Sequence, residues 1–204
     1  NLNKKLFYGL FFEKKWKVAL TINNLLFRGS ETISSNNLNQ IPISKKYSFY
    51  ADPFFSCNQK SIRLEALNRI NGLGDLLEIS MSNLKEQKKL LSGVHYSYPF
   101  SFLFEEKEYI LAEVASNSSQ YILSNEQLNY KIFLKGLENK RIVDATVFKH
   151  QENWYLFFGN QNNSSTILNL FISNNPFTKF KPHPKNPIVI SPKTARMGGS
   201  IILQ

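Results

Sequence analysis

The sequence has few of the residues that cross-link small extracellular proteins or bind metal ions, with one cysteine and three histidines among 204 residues. A single thiol, Cys57, excludes an internal disulfide framework and a multi-cysteine metal site. The histidines His95, His150 and His183 are too far apart for a local zinc motif. We therefore expect no metal ion, no cofactor and a cytoplasmic location.

Long hydrophobic runs are also missing. No stretch approaches the roughly 18–20 apolar residues of a membrane-spanning helix. The first apolar patch, residues 6–12, is followed rather than preceded by its lysines, Lys14, Lys15 and Lys17, which is the reverse of a signal peptide. The sequence thus predicts neither a membrane span nor a secretion signal.

Acidic residues are scarce relative to basic ones, with 15 Asp and Glu against 25 Lys and Arg and a net charge of +10. A basic surface can attract nucleic acid, anionic lipid or acidic glycans. No zinc-finger, RNP or helix-turn-helix pattern accompanies the charge, and the lysines are scattered through a chain rich in Asn and Ile. We predict no nucleic-acid partner and favour the interpretation that the positive charge reflects a generally lysine-rich composition rather than a ligand. A peripheral contact with a membrane or an acidic glycan stays open.

What the sequence does contain is a series of short alternating apolar segments, within a composition that is 42% hydrophobic and 14% aromatic. This is enough to bury the core of one domain, and a period of two predicts β-strands. The predicted strands are residues 16–22, 48–56, 61–66, 76–80, 99–104, 108–114, 120–124, 145–149, 154–159 and 166–173. Residues 125–131 fit either a short helix or an irregular linker. The predicted fold class is all-β.

Three of these segments resemble one another: YADPFF from Tyr50, YSYPFS from Tyr96 and IVDATV from Ile142. Their third residues, at positions 52, 98 and 144, are spaced evenly by 46 residues. A β-rich repeat of about 40–50 residues is typical of propeller blades, and a propeller brings the equivalent position of every blade to one central funnel. We therefore predict a single β-propeller domain over residues 1–204, with blades that start near residues 48, 94, 142 and 195.

The end of the chain predicts an incomplete repeat. Residues 174–192 carry five of the eight prolines and indicate an extended connection. Residues 195–204 (ARMGGSIILQ) then resemble the start of a fourth repeat, with residues 200–203 as its first strand. We interpret the last blade either as truncated, in a piece of a longer protein, or as completed by the N-terminal strand.

The ordered motifs resemble a known family. The segments FYADPFF, HYSYPFSFLFEEKEYILAE, RIVDATVFKHQENWYLFFG and PHPKNPIV, followed by ARMGG, are similar to the N-terminal domain of plant glucosamine inositolphosphorylceramide transferases. They are equally similar to bacterial proteins that share this domain, some of which carry a formyltransferase-like domain. The resemblance runs from about Trp16 to the end of the chain. It implies carbohydrate chemistry on a five-bladed β-propeller of the kind used by glycosidases that cut furanosides and arabinans. Two departures are the incomplete fifth blade and the lack of a transferase domain.

Given this resemblance, three carboxylates are the candidate catalytic residues, because cleavage of a glycosidic bond needs one protonated and one ionised carboxyl group. Asp52 lies in an Asp-Pro pair on the first blade, from which five-bladed glycosidases often supply the base. Glu113 ends the apolar run 109–112, where desolvation would raise its pKa and suit it to act as the acid. Asp144 would tune the pKa of a neighbour or bind a sugar hydroxyl, unless it only caps a turn.

Four further residues are predicted to bind substrate. Glu65 ends an apolar run that matches the run before Glu113, and His95 precedes the second repeat near the same rim. Tyr98 stands where the other repeats have aspartate, and its ring would cover an apolar sugar face. Arg196 offers a forked donor to a carboxylate or phosphate. Each has a plain structural alternative, such as a solvated strand end or an ordinary surface side chain.

Three functions remain open from the sequence. The first is an enzyme that acts on glycosidic bonds with Asp52 and Glu113 as the central pair. The second is a non-catalytic module that binds a glycan or nucleotide-sugar-type ligand and supports a fused or partner glycosyltransferase or formyltransferase; Tyr98 in place of an aspartate favours it. The third is a protein-interaction propeller.

Overall fold

The chain folds as a series of short antiparallel strands. The computed structural model describes residues 16–21, 38–114 and 119–201, and within these ranges it contains no α-helix. In chain order the strands are β1 (Ala19–Thr21), β2 (Leu38–Gln40), β3 (Tyr47–Phe55), β4 (Ser61–Asn68), β5 (Gly74–Ser80), β6 (Gln87–Leu91), β7 (Ser97–Phe104), β8 (Lys107–Glu113), β9 (Tyr121–Ser124), β10 (Lys131–Phe133), β11 (Ile142–His150), β12 (Asn153–Asn160), β13 (Ile167–Ser173), β14 (Lys181–Pro182) and β15 (Val189–Ile190). The predicted all-β class is confirmed.

Twelve strands form three successive four-stranded antiparallel sheets, each with its strands in chain order. Sheet 1 contains β3 to β6, sheet 2 contains β7 to β10, and sheet 3 contains β11 to β14, with β15 also pairing with β13. Strands β1 and β2 pair separately. The first strands of the sheets lie side by side, because β3 contacts β7 and β7 contacts β11. Each predicted repeat is therefore one sheet, and the three repeats meet along their first strands.

Alternating burial explains why these segments form strands. In β12 the side chains of Trp154, Leu156 and Phe158 are buried, while Tyr155 and Phe157 between them are partly exposed. A two-residue period places alternate side chains on opposite faces of a sheet. The buried face of β12 packs toward sheet 2, where the Trp154 ring lies edge-on to Phe102 with centroids 5.5 Å apart. Such aromatic pairs add about 0.5–1.5 kcal/mol beyond the burial of their area.

A buried ion pair joins sheet 1 to sheet 2. Arg63 on β4 is 1% exposed and donates to both oxygens of Glu108 on β8 at 2.8 Å. The same guanidinium donates to Glu78 at 3.1 Å and to the Ser101 hydroxyl at 2.6 Å. The planar fork of arginine matches a carboxylate in this two-point geometry. Because its donors are taken up inside the protein, we assign this cluster a structural role.

The same cluster makes Cys57 an unreactive thiol. Its backbone N–H donates to Glu108, and burial beside that carboxylate raises the pKa of the Cys57 thiol to about 12. A thiol nucleophile or metal ligand must be deprotonated.

The structure differs from the sequence-based prediction mainly at the outer strands. Strands β2, β6, β10, β14 and β15 were not predicted, because each is at most five residues long and none contains a buried side chain that would give an alternating pattern. Residues 125–130 form bends and turns, which excludes the short helix in favour of the irregular linker. Residues 200 and 201 are not in a strand, so the predicted strand 200–203 is wrong in its described part; its remainder, like residues 22–37, lies outside the described residues. The described residues also contain no helix able to cross a membrane.

Candidate functional site

The repeat position identified in the sequence has an unusual backbone conformation in all three sheets. Asp52, Tyr98 and Asp144 have positive φ angles of 48°, 46° and 52°. At each of them the ladder register shifts: between Ala51 and Phe54, between Ser97 and Phe100, and between Val143 and Thr146. Aspartate tolerates the left-handed region better than most residues, whereas tyrosine there is uncommon. Each first strand therefore carries a β-bulge that re-aims one side chain, as bulges beside active sites commonly do.

These three residues line one cavity of about 670 Å³. Its walls also include Glu65, Arg196 and the segment from Trp16 to Ala19. Pockets of roughly 300–1,000 Å³ are of the size that takes small ligands. The structure thus brings together residues that are far apart in sequence, as the repeat spacing predicted.

Two glutamates occupy matching places beside the bulges. Glu65 on β4 pairs with Ala51, and Glu113 at the end of β8 pairs with Ser97, so each lies opposite the residue that precedes a bulge. The same place in sheet 3 is Gly159, opposite Val143. A Cβ atom at Gly159 would come within 2.8 Å of the Ser164 Cβ, so this sheet has no room for a third glutamate.

The environment of these glutamates favours their protonated form. Burial, followed by repulsion from Asp52 and Glu113, raises the pKa of Glu65 to about 7. Burial together with the charges of Asp144 and Asp52 raises the pKa of Glu113 to about 7, although a hydrogen bond from the Asp144 backbone partly offsets the rise. Both effects are those expected of crowded carboxyl groups in a desolvated site. Near neutral pH either residue can donate a proton.

The two aspartates differ in their partners. Burial, followed by the charge of Asp144, raises the pKa of Asp52, although a hydrogen bond from the Tyr98 backbone N–H and the positive charge of Arg196 partly offset the rise. Asp144 accepts a 2.6 Å hydrogen bond from Arg196 Nε. The Arg196 side chain is otherwise 65% exposed, so its remaining donors are accessible to solvent or to a ligand.

His95 contacts the site through Glu65. Its Nδ1 accepts a hydrogen bond from the Gly74 backbone N–H at 3.1 Å, and its Nε2 lies 3.3 Å from Glu65 Oε1. The imidazole is 37% exposed and is not among the residues that line the cavity. Its predicted contact with substrate stays a prediction.

The placement of Tyr98 limits how it could bind a sugar. The residue is 4% exposed, and its ring packs edge-on against Phe54 with centroids 4.7 Å apart. Its hydroxyl bonds to Thr146 Oγ1 at 3.1 Å and to the Gly199 carbonyl at 3.3 Å. A ring held in this way has no open face for stacking, so any contribution to a ligand comes from its edge or hydroxyl.

Glu113 also differs from its predicted role in one respect. Its Oε2 accepts the Asp144 backbone N–H at 3.0 Å, and the residue is not part of the cavity wall. Glu65 is the one glutamate among the described lining residues. The sequence could not rank the two, because both end similar apolar runs. It also missed Trp16 and Lys17, which lie outside the repeat and carry no motif.

The described residues contain no cluster of three or more His, Cys, Asp or Glu side chains arranged to hold a metal ion. What the site offers is a set of four carboxyl groups with Arg196 on the cavity wall, and burial and neighbouring charges raise the pKa values of three of them, Asp52, Glu65 and Glu113. Such a set can donate a proton, accept a proton and bind hydroxyl groups.

The sequence pattern of one family, described as the N-terminal region of glucosamine inositolphosphorylceramide transferase 1, matches residues 34–203. The chain belongs to this family. A relative from Arabidopsis thaliana, glucosamine inositolphosphorylceramide transferase 1, is 31% identical over 121 residues, a match that covers 53% of this chain and 15% of the relative. The chain therefore spans about 15% of the length of that curated member.

Solved structures show the same kind of fold. A thermostable family-43 glycoside hydrolase matches with a TM-score of 0.50 and 13% identity, over 69% of this chain and 56% of that one. The catalytic domain of the GH62 α-L-arabinofuranosidase of Coprinopsis cinerea matches with a TM-score of 0.51 and 14% identity, over 68% and 51%. At these identities the likeness concerns the fold alone.

Proposed function

We propose that this chain is a carbohydrate-active domain that binds a glycan or glycoconjugate in the cavity and acts on a glycosidic bond with paired carboxyl groups. The observation that carries the proposal is the convergence of Asp52, Glu65 and Asp144 on one cavity, with Glu113 close behind them. A glycosidic bond needs an acid and a base on either side of it, and crowding of carboxyl groups is what separates their pKa values.

In the proposed reaction, a protonated glutamate, Glu65 or Glu113, donates its proton to the glycosidic oxygen as the bond from that oxygen to the anomeric carbon breaks. A water molecule attacks the anomeric carbon and gives its proton to ionised Asp52. The products are two free sugars, a newly ionised glutamate and a protonated Asp52, and solvent resets both carboxyl groups. A sugar hydroxyl in place of water gives transfer instead of hydrolysis.

Asp144 and Arg196 would set the charge of the site. Their 2.6 Å hydrogen bond pairs the negative charge of Asp144, which acts on Asp52 and Glu113, with the positive charge of Arg196. A guanidinium that remains largely exposed can also bind a phosphate or carboxylate of a glycoconjugate. This keeps the predicted substrate-binding role for Arg196 as a proposal.

We further propose that the three sheets are blades of a five-bladed propeller, with the cavity on its axis. The similarity to the two glycosidase folds supports this, as does the side-by-side packing of the first strands. A fused or separate transferase domain would be the partner, as the much longer curated relatives suggest. Location in the cytoplasm and a peripheral membrane contact through the basic surface belong to the same proposal.

The experiment measures hydrolysis of a panel of 4-nitrophenyl pyranosides and furanosides by the wild type and by Asp52→Asn, Glu65→Gln and Glu113→Gln. Loss of a general acid or base should lower kcat/KM by about 10²–10⁴-fold. The matched control is Glu105→Gln in the β7–β8 hairpin, which should leave the rate unchanged. Equal rates in all variants would refute the enzymatic proposal.

One observation favours the second candidate, a non-catalytic binding module. Glu113 and Asp144 each have a structural partner within the protein, the Asp144 backbone and Arg196. Carboxylates held in this way can position ligand hydroxyls without turning a substrate over. Glycan binding in calorimetry that survives in Asp52→Asn, with no turnover in the wild type, would support the module.

A further inference from the structure

The contacts of His95 determine which of its nitrogens carries the proton. Nδ1 accepts a hydrogen bond from the Gly74 backbone N–H at 3.1 Å, so in the neutral imidazole the proton must be on Nε2. Nε2 lies 3.3 Å from Glu65 Oε1, so the N–H of the neutral imidazole is the polar group of His95 nearest to that oxygen. A second hydrogen bond at the other nitrogen commonly fixes the tautomer of a histidine in this way.

Gly74 makes this arrangement sterically possible. A Cβ atom at this position would lie 3.0 Å from Glu65 Oε1 and 2.3 Å from the Tyr96 carbonyl oxygen. The absence of a side chain lets Glu65 and His95 approach over the backbone of β5. The Tyr96 N–H donates to the Gly74 carbonyl at 2.9 Å, which ties the chain next to His95 to β5.

The two oxygens of Glu65 differ in their surroundings. Oε1 is the oxygen in contact with His95, and among the described residues no hydrogen bond to the Glu65 side chain is present. A proton on the Glu65 carboxyl group is therefore not held by another described residue. Glu65 lines the cavity, so this proton is on a residue that a ligand would contact.

Resting on the proposed function, we propose that Glu65 is the proton donor of this site and that His95 is its positioning residue, with Nε2–H fixing Oε1 and leaving the Oε2 proton to the glycosidic oxygen. Glu113 is the less suitable donor because its Oε2 accepts the Asp144 backbone N–H and it lies outside the cavity wall. The charged groups around Glu65 are Asp52 on β3, Glu113 on β8 and His95 before β7.

The geometry has a consequence for the titration of Glu65 that does not depend on any substrate. A neutral N–H donor stabilises the ionised carboxylate. Removing it in His95→Phe should raise the pKa of Glu65 by about one pH unit, as expected for the loss of one hydrogen bond to a charged group. His95→Gln retains an N–H donor of similar reach and should restore the wild-type pKa. The pKa of Glu113, which has no contact with His95, should change far less.

Carbon-detected NMR titration of the glutamate carboxyl groups in the full chain measures these shifts, and long-range proton–nitrogen correlation of the wild type reports the His95 tautomer. An Nδ1–H tautomer, or a Glu65 pKa that is the same in His95→Phe and wild type, would overturn the proposal. If His95→Phe does not fold, the tautomer and the His95→Gln titration still decide it.

Activity provides a separate readout. Where a 4-nitrophenyl glycoside is turned over, the alkaline limb of the kcat profile should move upward by about one pH unit in His95→Phe and return in His95→Gln. A shift in the NMR titration without any turnover would retain the Glu65–His95 contact but reject both the proton-donor role and the enzymatic function. A pH profile that follows Glu113→Gln instead would assign the acid to Glu113.

Discussion

Glu65 and Glu113 each have a pKa of about 7, well above the value of about 4.3 for a glutamate in an unfolded chain. The folded state therefore binds more protons than the unfolded state between these two pH values. The contribution of these two glutamates to the free energy of unfolding is fully present below about pH 4 and is lost as the pH rises through 7. The cause is burial together with mutual repulsion among the carboxylates.

We predict that the free energy of unfolding decreases between pH 5 and pH 8 by an amount on the order of 3 kcal/mol, since one pKa unit corresponds to about 1.4 kcal/mol. The two contributions are not independent, because each glutamate repels the other. Urea denaturation across this range measures the slope. The double variant Glu65→Gln/Glu113→Gln should flatten it, and Glu105→Gln should not. A slope unchanged in the double variant would contradict the assignment.

The site residues show what the sequence could and could not predict at this scale. An even spacing identified Asp52, Tyr98 and Asp144, which share both a backbone conformation and a cavity. The spacing could not show that the Tyr98 ring is packed against Phe54. The local sequence around a tyrosine is the same whether its ring packs in the core or contacts a ligand. Nor could the spacing pair His95 with Glu65, because they are joined through the backbone of a third strand.

At the scale of elements, the contact between sheets 1 and 2 depends on Arg63. Its guanidinium is 1% exposed and satisfies Glu108, Glu78 and Ser101 at once. Arg63→Met would leave the Glu108 carboxylate, whose side chain is only 12% exposed, without its partner. We predict a loss of about 3–5 kcal/mol in the free energy of unfolding, the usual cost of removing one member of a buried pair.

The control for this prediction is the double variant Arg63→Met/Glu108→Gln, which removes both charges. It should recover much of the lost stability, because the cost arises from an unpaired charge rather than from the loss of a favourable pair. Urea denaturation measures both variants. If the double variant is as unstable as the single one, packing rather than charge holds the two sheets together.

The inner and outer strands of each sheet differed in how well the sequence predicted them. Inner strands such as β12 alternate between buried and exposed side chains, and this pattern is visible in the sequence. Outer strands such as β6, with its residues Gln87–Leu91, are held by backbone pairing with a neighbour and have no such pattern. Pairing is a property of two segments, so one segment alone does not reveal it.

At the scale of the whole molecule, one hydrophobic cluster crosses all three sheets. It contains Phe54 from sheet 1, Phe102 from sheet 2 and Leu156 from sheet 3. A shared core of this kind makes the sheets unfold together rather than one at a time. The even repeat spacing predicted the sheets but not this continuity, which depends on which faces meet.

We predict a single cooperative unfolding transition. The chain has two tryptophans, and Trp16→Phe leaves Trp154, which is buried between sheets 2 and 3, as the only one. Urea curves from Trp154 fluorescence and from far-ultraviolet circular dichroism should coincide within error. A fluorescence midpoint clearly below the dichroism midpoint would mean that sheet 3 separates first.

The bulge with a left-handed residue recurs in all three sheets, with aspartate in sheets 1 and 3 and tyrosine in sheet 2. The fold thus sets the direction of the side chain at this position, while the residue type there can vary. A domain organised in this way can exchange acid for phenol, or charge for hydrophobicity, without disturbing its strand pairing. Ligand preference among related domains could then change through single substitutions at these three positions. The same three positions are the natural targets for protein engineering.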